Sequence, residues 1–136
     1  MASGKADMSR ALLEGVAFSL RDCYRIIEKM GLKTSELILI GGGAKSQLWS
    51  RIICDVFNAP VKCPAICDAS FGSALLAGVG TGVFNDEVSA VRQCLKFERE
   101  FAPVAENAEF YARQFGHYRI IHDALADVYR NINHTK

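Results

Sequence analysis

A four-residue apolar run, Leu37 to Ile40, passes through Gly41, Gly42 and Gly43 straight into a helical pattern, and no other stretch constrains the chain as tightly. The run has the continuous apolarity of a strand buried on both faces. Leu48, Ile52 and Val56 then recur every four residues, as one face of an amphipathic helix does. The glycines open backbone angles closed to other residues and leave room for a ligand against the main chain. The first N–H groups of the following helix, at the positive end of its dipole, favour an anion there. A phosphate or nucleotide site at the turn is the expectation.

Two better-known glycine motifs do not fit. A P-loop, G-x-x-x-x-G-K-[ST], sets Lys and Ser directly after its last glycine, but Ala44 separates Gly43 from Lys45 and Ser46. The dinucleotide fingerprint G-x-G-x-x-G, begun at Gly41, requires glycine where Ser46 stands. On pattern alone, a turn that serves packing only stays open beside the ligand site.

The remaining elements alternate around this junction. Asp7 or Ser9 can cap a first helix with Leu12, Leu13, Val16, Leu20, Tyr24 and Ile27 at helical spacing, ending at Gly31. The helix of about residues 46–57 is broken by Asn58-Ala-Pro60, and a second strand follows near 61–64. A helical crossover between two short strands predicts a parallel pair, and the alternation predicts an α/β sandwich. Residues 71–82 are rich in small residues, and each interior glycine costs a helix about 1 kcal/mol. Tight packing of that helix on the sheet is the expected compensation, with Gly72 lining a nucleotide cleft as the compatible alternative. Asp86 and Glu87 suit the start of a short helix carrying Val88, Val91 and Leu95, and residues 96–101 suit an edge strand. The last helix is expected over 107–133, where Tyr111, Tyr118, Leu125 and Ile132 recur at sevenfold spacing. Docking on a parent domain is preferred there to a coiled-coil seam.

Composition narrows the function classes. Half of the 136 residues are hydrophobic and 23% are charged, which excludes a disordered chain. Sixteen basic against 15 acidic residues leave a formal charge of +1, without the electrostatic footprint of a nucleic-acid or anionic-membrane binder. The first residues lack an apolar signal core, and residues 74–84 are too short and glycine-rich to cross a bilayer, so a cytoplasmic protein is expected. Cys23, Cys54, Cys63, Cys67 and Cys94 have no framework spacing and read as small buried hydrophobes kept reduced. His117, His122 and His134 fall in the C-terminal helical region with no matching cysteine pair, so no metal site is expected.

The segment Gly41-Gly-Gly-Ala-Lys-Ser46, with Trp49, Asp55-Val-Phe and Pro60-Val61, resembles the adenosine-binding segment of the FGGY family of carbohydrate kinases. Arg10 to Phe18 resembles the helix opening the last part of that family's C-terminal domain. Phe71 to Gly78 resembles its small-residue helix, and the stretch from Pro103 through Tyr129 is similar to its closing helix. These blocks stand in the family's order and cover nearly the whole chain, and the GGGAKS form with its tryptophan is closer to xylulose kinases than to glycerol kinases.

The resemblance implies an actin/sugar kinase/Hsp70-like, ribonuclease H-like α/β fold with a short mixed sheet packed by helices. It implies a single domain over 1–136, the C-terminal adenosine-binding portion of a sugar kinase, with residues 1–7 disordered or artificial. It also implies a site: Gly42 and Gly43 turn backbone N–H groups to the nucleotide phosphates or ribose, Ala44 continues the loop, and Gln47 offers its amide to the adenine edge. Lys45 is either a surface lysine or an α-phosphate contact, and Gly72 flanks the ATP site. The implied cofactor is ATP with Mg²⁺, and the implied partner is an N-terminal sugar-binding domain. The aspartate base, the sugar pocket and the first phosphate-binding hairpin belong to sequence upstream, so catalytic residues are expected to be absent and the chain inactive alone. Asp55 and Asp68 are expected to be ordinary solvated or capping residues. The competing expectation is a free-standing remnant of the fold serving as a protein-interaction or homo-oligomerisation module, its exposed apolar surface acting as interface.

Overall fold

The computed structural model describes residues 4–133. Its first helix, α1 (Lys5–Lys29), opens one turn earlier than Asp7 or Ser9 would place it. Gly4 is the cap, and Asp7 lies inside the first turn, where its carboxyl group accepts the Gly4 N–H at 2.9 Å. An acidic side chain there satisfies an orphan donor and complements the dipole, which is why it reads so easily as the cap itself. Residues 5–7, expected to be disordered or artificial, form the first turn of this helix; residues 1–3 of that expectation lie outside the described residues. Gly31 ends α1 as expected, with φ of 84°. Its N–H reaches Glu28 O at 3.0 Å and that of Leu32 reaches Ile27 O at 3.4 Å, the paired bonds of a Schellman stop.

Three strands make a mixed sheet in the order β1 (Leu37–Ile38), β2 (Val61–Pro64), β3 (Phe97–Phe101). β1 and β2 run parallel with Leu37 opposite Val61, as the crossover requires, and β3 is the antiparallel edge. The ladder slips between Cys63 and Pro64, where proline has no N–H to give. β1 is shorter than the expected run. Leu39 N–H still bonds Lys62 O at 2.9 Å, but Gly41 N–H turns away to Cys67 O at 2.7 Å and the strand ends. Nor is it buried on both faces: Leu37 and Leu39 pack on the core, whereas Ile38 is 50% exposed on the other side. One helix packs on the sheet through both β2 and β3.

That helix is α2 (Gln47–Phe57). Ser46 caps it by accepting Trp49 N–H at 3.2 Å, and Asn58 closes it in the left-handed conformation at φ 48°. The sheet lies on one side of α2 and the helices α1 and α5 (Ala105–Asn133) on the other, so Ile52, Ile53, Cys54 and Val56 sit at the centre of the core. The Phe18 ring joins α1 to α5, with centroids 6.1, 6.0 and 5.6 Å from those of Tyr111, Phe115 and Tyr118. α5 thus docks on this chain through its first turns, whereas Ile121, Val128 and Ile132 further along are exposed.

Two expectations about side chains are sharpened. Of the two roles expected for Asp55, solvated or capping, it takes the second: it is 2% exposed and accepts Val104 N–H and Asn107 Nδ2–H at 2.9 Å each, capping α5 from a distant part of the chain. Of the cysteines, Cys54 and Cys63 are buried, but Cys23 lies exposed on the outer side of α1.

α3 (Ala69–Gly80) and α4 (Glu87–Cys94) pack mainly on each other. Asp86 caps α4 by accepting Ser89 N–H at 2.6 Å. The small-residue helix α3 has no buried residue, so the expected tight packing on the sheet is not present among the described residues. A Cβ placed on Gly72 meets nothing within 4 Å, and one on Gly78 meets the Phe84 ring at 2.7 Å, in the turn after α3 rather than in the sheet.

Candidate functional site at the glycine turn

Between β1 and α2 the chain forms a 3₁₀ turn, Gly42–Lys45, which separates the strand from the helix that the sequence joined directly. Gly41 enters it at φ 84°, a conformation that L side chains rarely adopt. The turn closes through Ala44 N–H to Gly41 O at 3.1 Å and Ser46 N–H to Gly43 O at 3.0 Å. As the first residues of a 3₁₀ turn, Gly42 and Gly43 have no intrahelical acceptor for their N–H groups. The N-terminus that follows β1 is therefore that of this short turn and not that of α2.

Beside it opens a cleft of about 490 Å³, lined by Gly41, Gly42 and Lys45 from the end of β1 and by Ala65 to Ala69 from the end of β2. A cleft outside the carboxyl ends of two parallel strands is where open α/β sheets bind ligands. A second hollow of about 460 Å³ shares Lys45, Ala65 and Cys67 and adds Gln47, Glu98 and Arg99. Together they form a shallow trough with Lys45 at its middle. Its charges are mixed, Lys45 and Arg99 against Asp68 and Glu98. Asp68 caps α3 by accepting Ser70 N–H at 2.9 Å. That backbone bond, then the Ser70 hydroxyl and the nearby Lys45 ammonium, hold its carboxyl below the usual carboxylate range.

The expected site residues are not all alike in this geometry. Gly42, Lys45 and Gln47 line the trough. Gly43 is exposed but lines neither hollow, and a Cβ there would stand 2.8 Å from Trp49 Nε1, so the indole already occupies the space beside it. Ala44, expected to continue the loop against the ligand, is instead wholly buried, with its N–H bonded to Gly41 O and its carbonyl taken by Arg99. Gly72 lies one turn beyond Ala69 on the same side of α3, outside the lining residues.

Arg99 escaped the sequence reading. Its guanidinium donates to Ala44 O at 2.6 Å and to Lys45 O at 3.3 Å, spanning from β3 to the end of the turn. A signal was present: Arg99 has the same strand parity as Phe101, whose ring packs under Arg51 of α2. A cation on the face that an edge strand turns to its helix requires an acceptor there.

What the trough can do chemically is bind. Asp55 is committed to the start of α5 and Asp68 to the start of α3, so neither is placed as a general base. No three His, Cys, Asp or Glu side chains converge on a metal-sized point among the described residues, and no step is assigned to a metal held by this chain.

Known proteins share this architecture. The crystal structure of ligand-bound xylulose kinase from Lactobacillus acidophilus superposes with a TM-score of 0.84 at 25% identity, over 95% of this chain and 26% of that one. Gluconate kinase from the same organism gives 0.83 at 25% identity over the same shares. These neighbours define the class, the actin/sugar kinase/Hsp70-like fold. In sequence, xylulose kinase of Staphylococcus epidermidis is 35% identical over 119 residues, 87% of this chain and 24% of that protein. Autoinducer-2 kinase of Yersinia pestis is 38% identical over 109 residues, 79% of this chain and 21% of that protein. The chain thus spans about a quarter of the length of these curated relatives. The C-terminal domain model of the FGGY family of carbohydrate kinases matches residues 1–81, from α1 through the glycine turn to the end of α3, and the chain belongs to that family.

Proposed function

We propose that this chain is the adenosine-binding portion of a cytoplasmic carbohydrate kinase. The whole protein transfers the γ-phosphoryl group of ATP, carried with Mg²⁺, to a hydroxyl of xylulose or a related sugar. The observation that carries this reading is the trough at the carboxyl ends of β1 and β2, lined by Gly42 and Lys45 within the segment that the family model matches. In this reading the N–H groups of Gly42 and Gly43 meet the phosphates or ribose and Lys45 reaches the α-phosphate, while the buried Ala44 supports the turn from behind. Gln47 meets the adenine edge and Gly72 stands at the outer wall.

The balanced charge of the trough suits a nucleoside better than a polyphosphate, whose remaining charge needs donors from the rest of the protein. The base and the sugar pocket come from that remaining part, so the 136 residues alone do not turn over. Leu12, Leu20, Ile38 and Leu76, exposed on α1, β1 and α3, belong to the surface that the sugar-binding domain and the rest of the parent cover.

Titration of ATP, ADP, AMP and adenosine, followed by amide chemical shifts, tests the reading. Shifts at residues 42–47 with similar dissociation constants for all four ligands are expected. Shifts confined to α5, or ATP binding far more tightly than adenosine, would overturn the half-site.

A further inference from the structure

We infer that Arg99 is a positioning residue for the nucleotide, holding the glycine turn in the shape that presents its N–H groups. This rests on the nucleotide reading of the trough. A 3₁₀ turn of four residues has poor internal hydrogen bonds and does not hold its own shape. This one contains two glycines, follows a third at positive φ, and has open space around Gly41 and Gly42. Its shape depends on ties from outside. Gly41 N–H is tied to Cys67 O at the entrance, and the Trp49 indole lies against Gly43.

At the exit the carbonyls of Ala44 and Lys45 end the turn, where the 3₁₀ pattern offers them no further donors. Arg99 takes both, Nη2 on Ala44 O at 2.6 Å and Nη1 on Lys45 O at 3.3 Å. A guanidinium is a rigid planar fork, so binding two acceptors fixes their orientation to each other as well as their positions. Rotating either peptide swings the Lys45 side chain, and through the turn it tilts the backbone of Gly42, which lines the trough. Arg99 comes from β3, more than 50 residues along the chain and beyond the matched segment of residues 1–81. The edge strand thereby acquires a part in the site that its sheet position alone does not give it.

The test uses the full-length protein with ADP as the calorimetric probe, and amide exchange as a second readout. Arg99→Met is expected to raise the dissociation constant about tenfold, and Arg99→Lys, which keeps the charge but cannot fork, about threefold. Amide exchange should quicken at residues 42–46 while the β2–β3 ladder stays protected. Should Arg99→Met fail to fold, Arg99→Lys decides: affinity equal to that of the unchanged protein overturns the forked clamp. Loss of ladder protection in step with affinity also overturns it, because Arg99 would then serve the sheet as a whole. Gly42→Val separates the two levels of the argument. If it abolishes ADP binding while both Arg99 variants bind normally, the inference fails and the nucleotide reading stands; if all three bind normally, the nucleotide reading fails with it.

Discussion

α2 and α3 are nearly equal in length, 11 and 12 residues, and each follows a strand of the sheet and starts from a side-chain cap, Ser46 or Asp68. They end in opposite surroundings. Six residues of α2 are buried, including the polar Ser50 and Asp55, whereas α3, the more apolar helix in composition, buries none. Apolar content therefore does not decide which helix makes the core. α2 lies between the sheet and the α1–α5 pair and is enclosed from two sides. α3 leaves the sheet after β2 and, among the described residues, packs mainly on α4. Helices as rich in glycine and alanine as α3 gain stability chiefly by letting another backbone approach, and the described residues provide no such backbone.

The sharpest way to break this comparison is to cut the same methylenes from each helix. Ile52→Ala removes a side chain that is 1% exposed and should destabilise the protein by about 2–5 kcal/mol. Leu76→Ala, at 62% exposure, should stay within about 0.5 kcal/mol. Urea unfolding of the 136-residue chain measures both. Equal losses would mean that α3 is covered in solution, by a second copy or otherwise. In a longer protein that encloses α3, the Leu76 loss should rise toward that of Ile52.

A smaller effect separates packing from polar ties within α2 itself. Asp55→Ala leaves the Val104 N–H and the Asn107 amide without their acceptor and should cost about 2–3 kcal/mol. Exchange protection should fall first at the start of α5. If α5 stayed protected, Val104 and Asn107 would have found other partners and the tie would be dispensable.

The glycine turn between the two regions gives the next effect. Gly43→Ala sets a Cβ 2.8 Å from Trp49 Nε1 and 2.9 Å from Cδ1, both on a rigid ring, at a cost of about 1–3 kcal/mol. Gly42→Ala meets open space and should change stability by less than about 0.5 kcal/mol. Trp49 is the one tryptophan of the chain, so its emission should move in the first variant and not in the second. The contrast also makes Gly42 the cleaner probe of nucleotide binding, because a bulky residue at position 43 disturbs the indole before it reaches any ligand.

These same residues show what was legible in the sequence. Element order, the parallel pair, the edge strand and the helix of about residues 46–57 follow from short-range patterns: apolar spacing, a proline break, a glycine stop. The glycine turn was legible as a candidate site, and a cleft lined by Gly42 and Lys45 opens beside it. The role of Gly43 was not, because Trp49 lies six residues away and only the fold shows which side of the turn its ring takes. That Asp55 caps α5 and is buried, where a solvated role stood equally open, was not legible, because its partners are 49 and 52 residues distant. The burial of β1 on both faces and the packing of α3 on the sheet were read from composition, which reports what a segment tolerates and not which neighbour arrives.

The smallest expected effect concerns the two caps. Ser46 does not titrate in the range of interest, but Asp68 does, so of the two helices only α3 should have a pH-sensitive start. The Asp68 carboxyl is held below its ordinary value first by the Ser70 N–H, then by the Ser70 side chain and by Lys45. A depressed carboxyl contributes stability that is fully present above its unfolded value, about 3.9, and is lost as pH falls through the lower folded value. The Asp68 carboxyl shift and the Ser70 amide shift should accordingly titrate together, with a midpoint below about 3.9. In the same window, amide exchange in the first turn of α3 should quicken while that of α2 does not change. Asp68→Asn, which keeps a capping oxygen but no charge, should remove the pH dependence and leave α3 intact at neutral pH. Lys45→Ala should move the midpoint slightly upward, because the ammonium is the weakest of the three influences. A midpoint at or above the ordinary carboxylate value would mean that the Ser70 bond does not persist in solution. An unmoved midpoint in Lys45→Ala would place the ammonium away from Asp68, and would remove the charge pairing that makes the trough neutral.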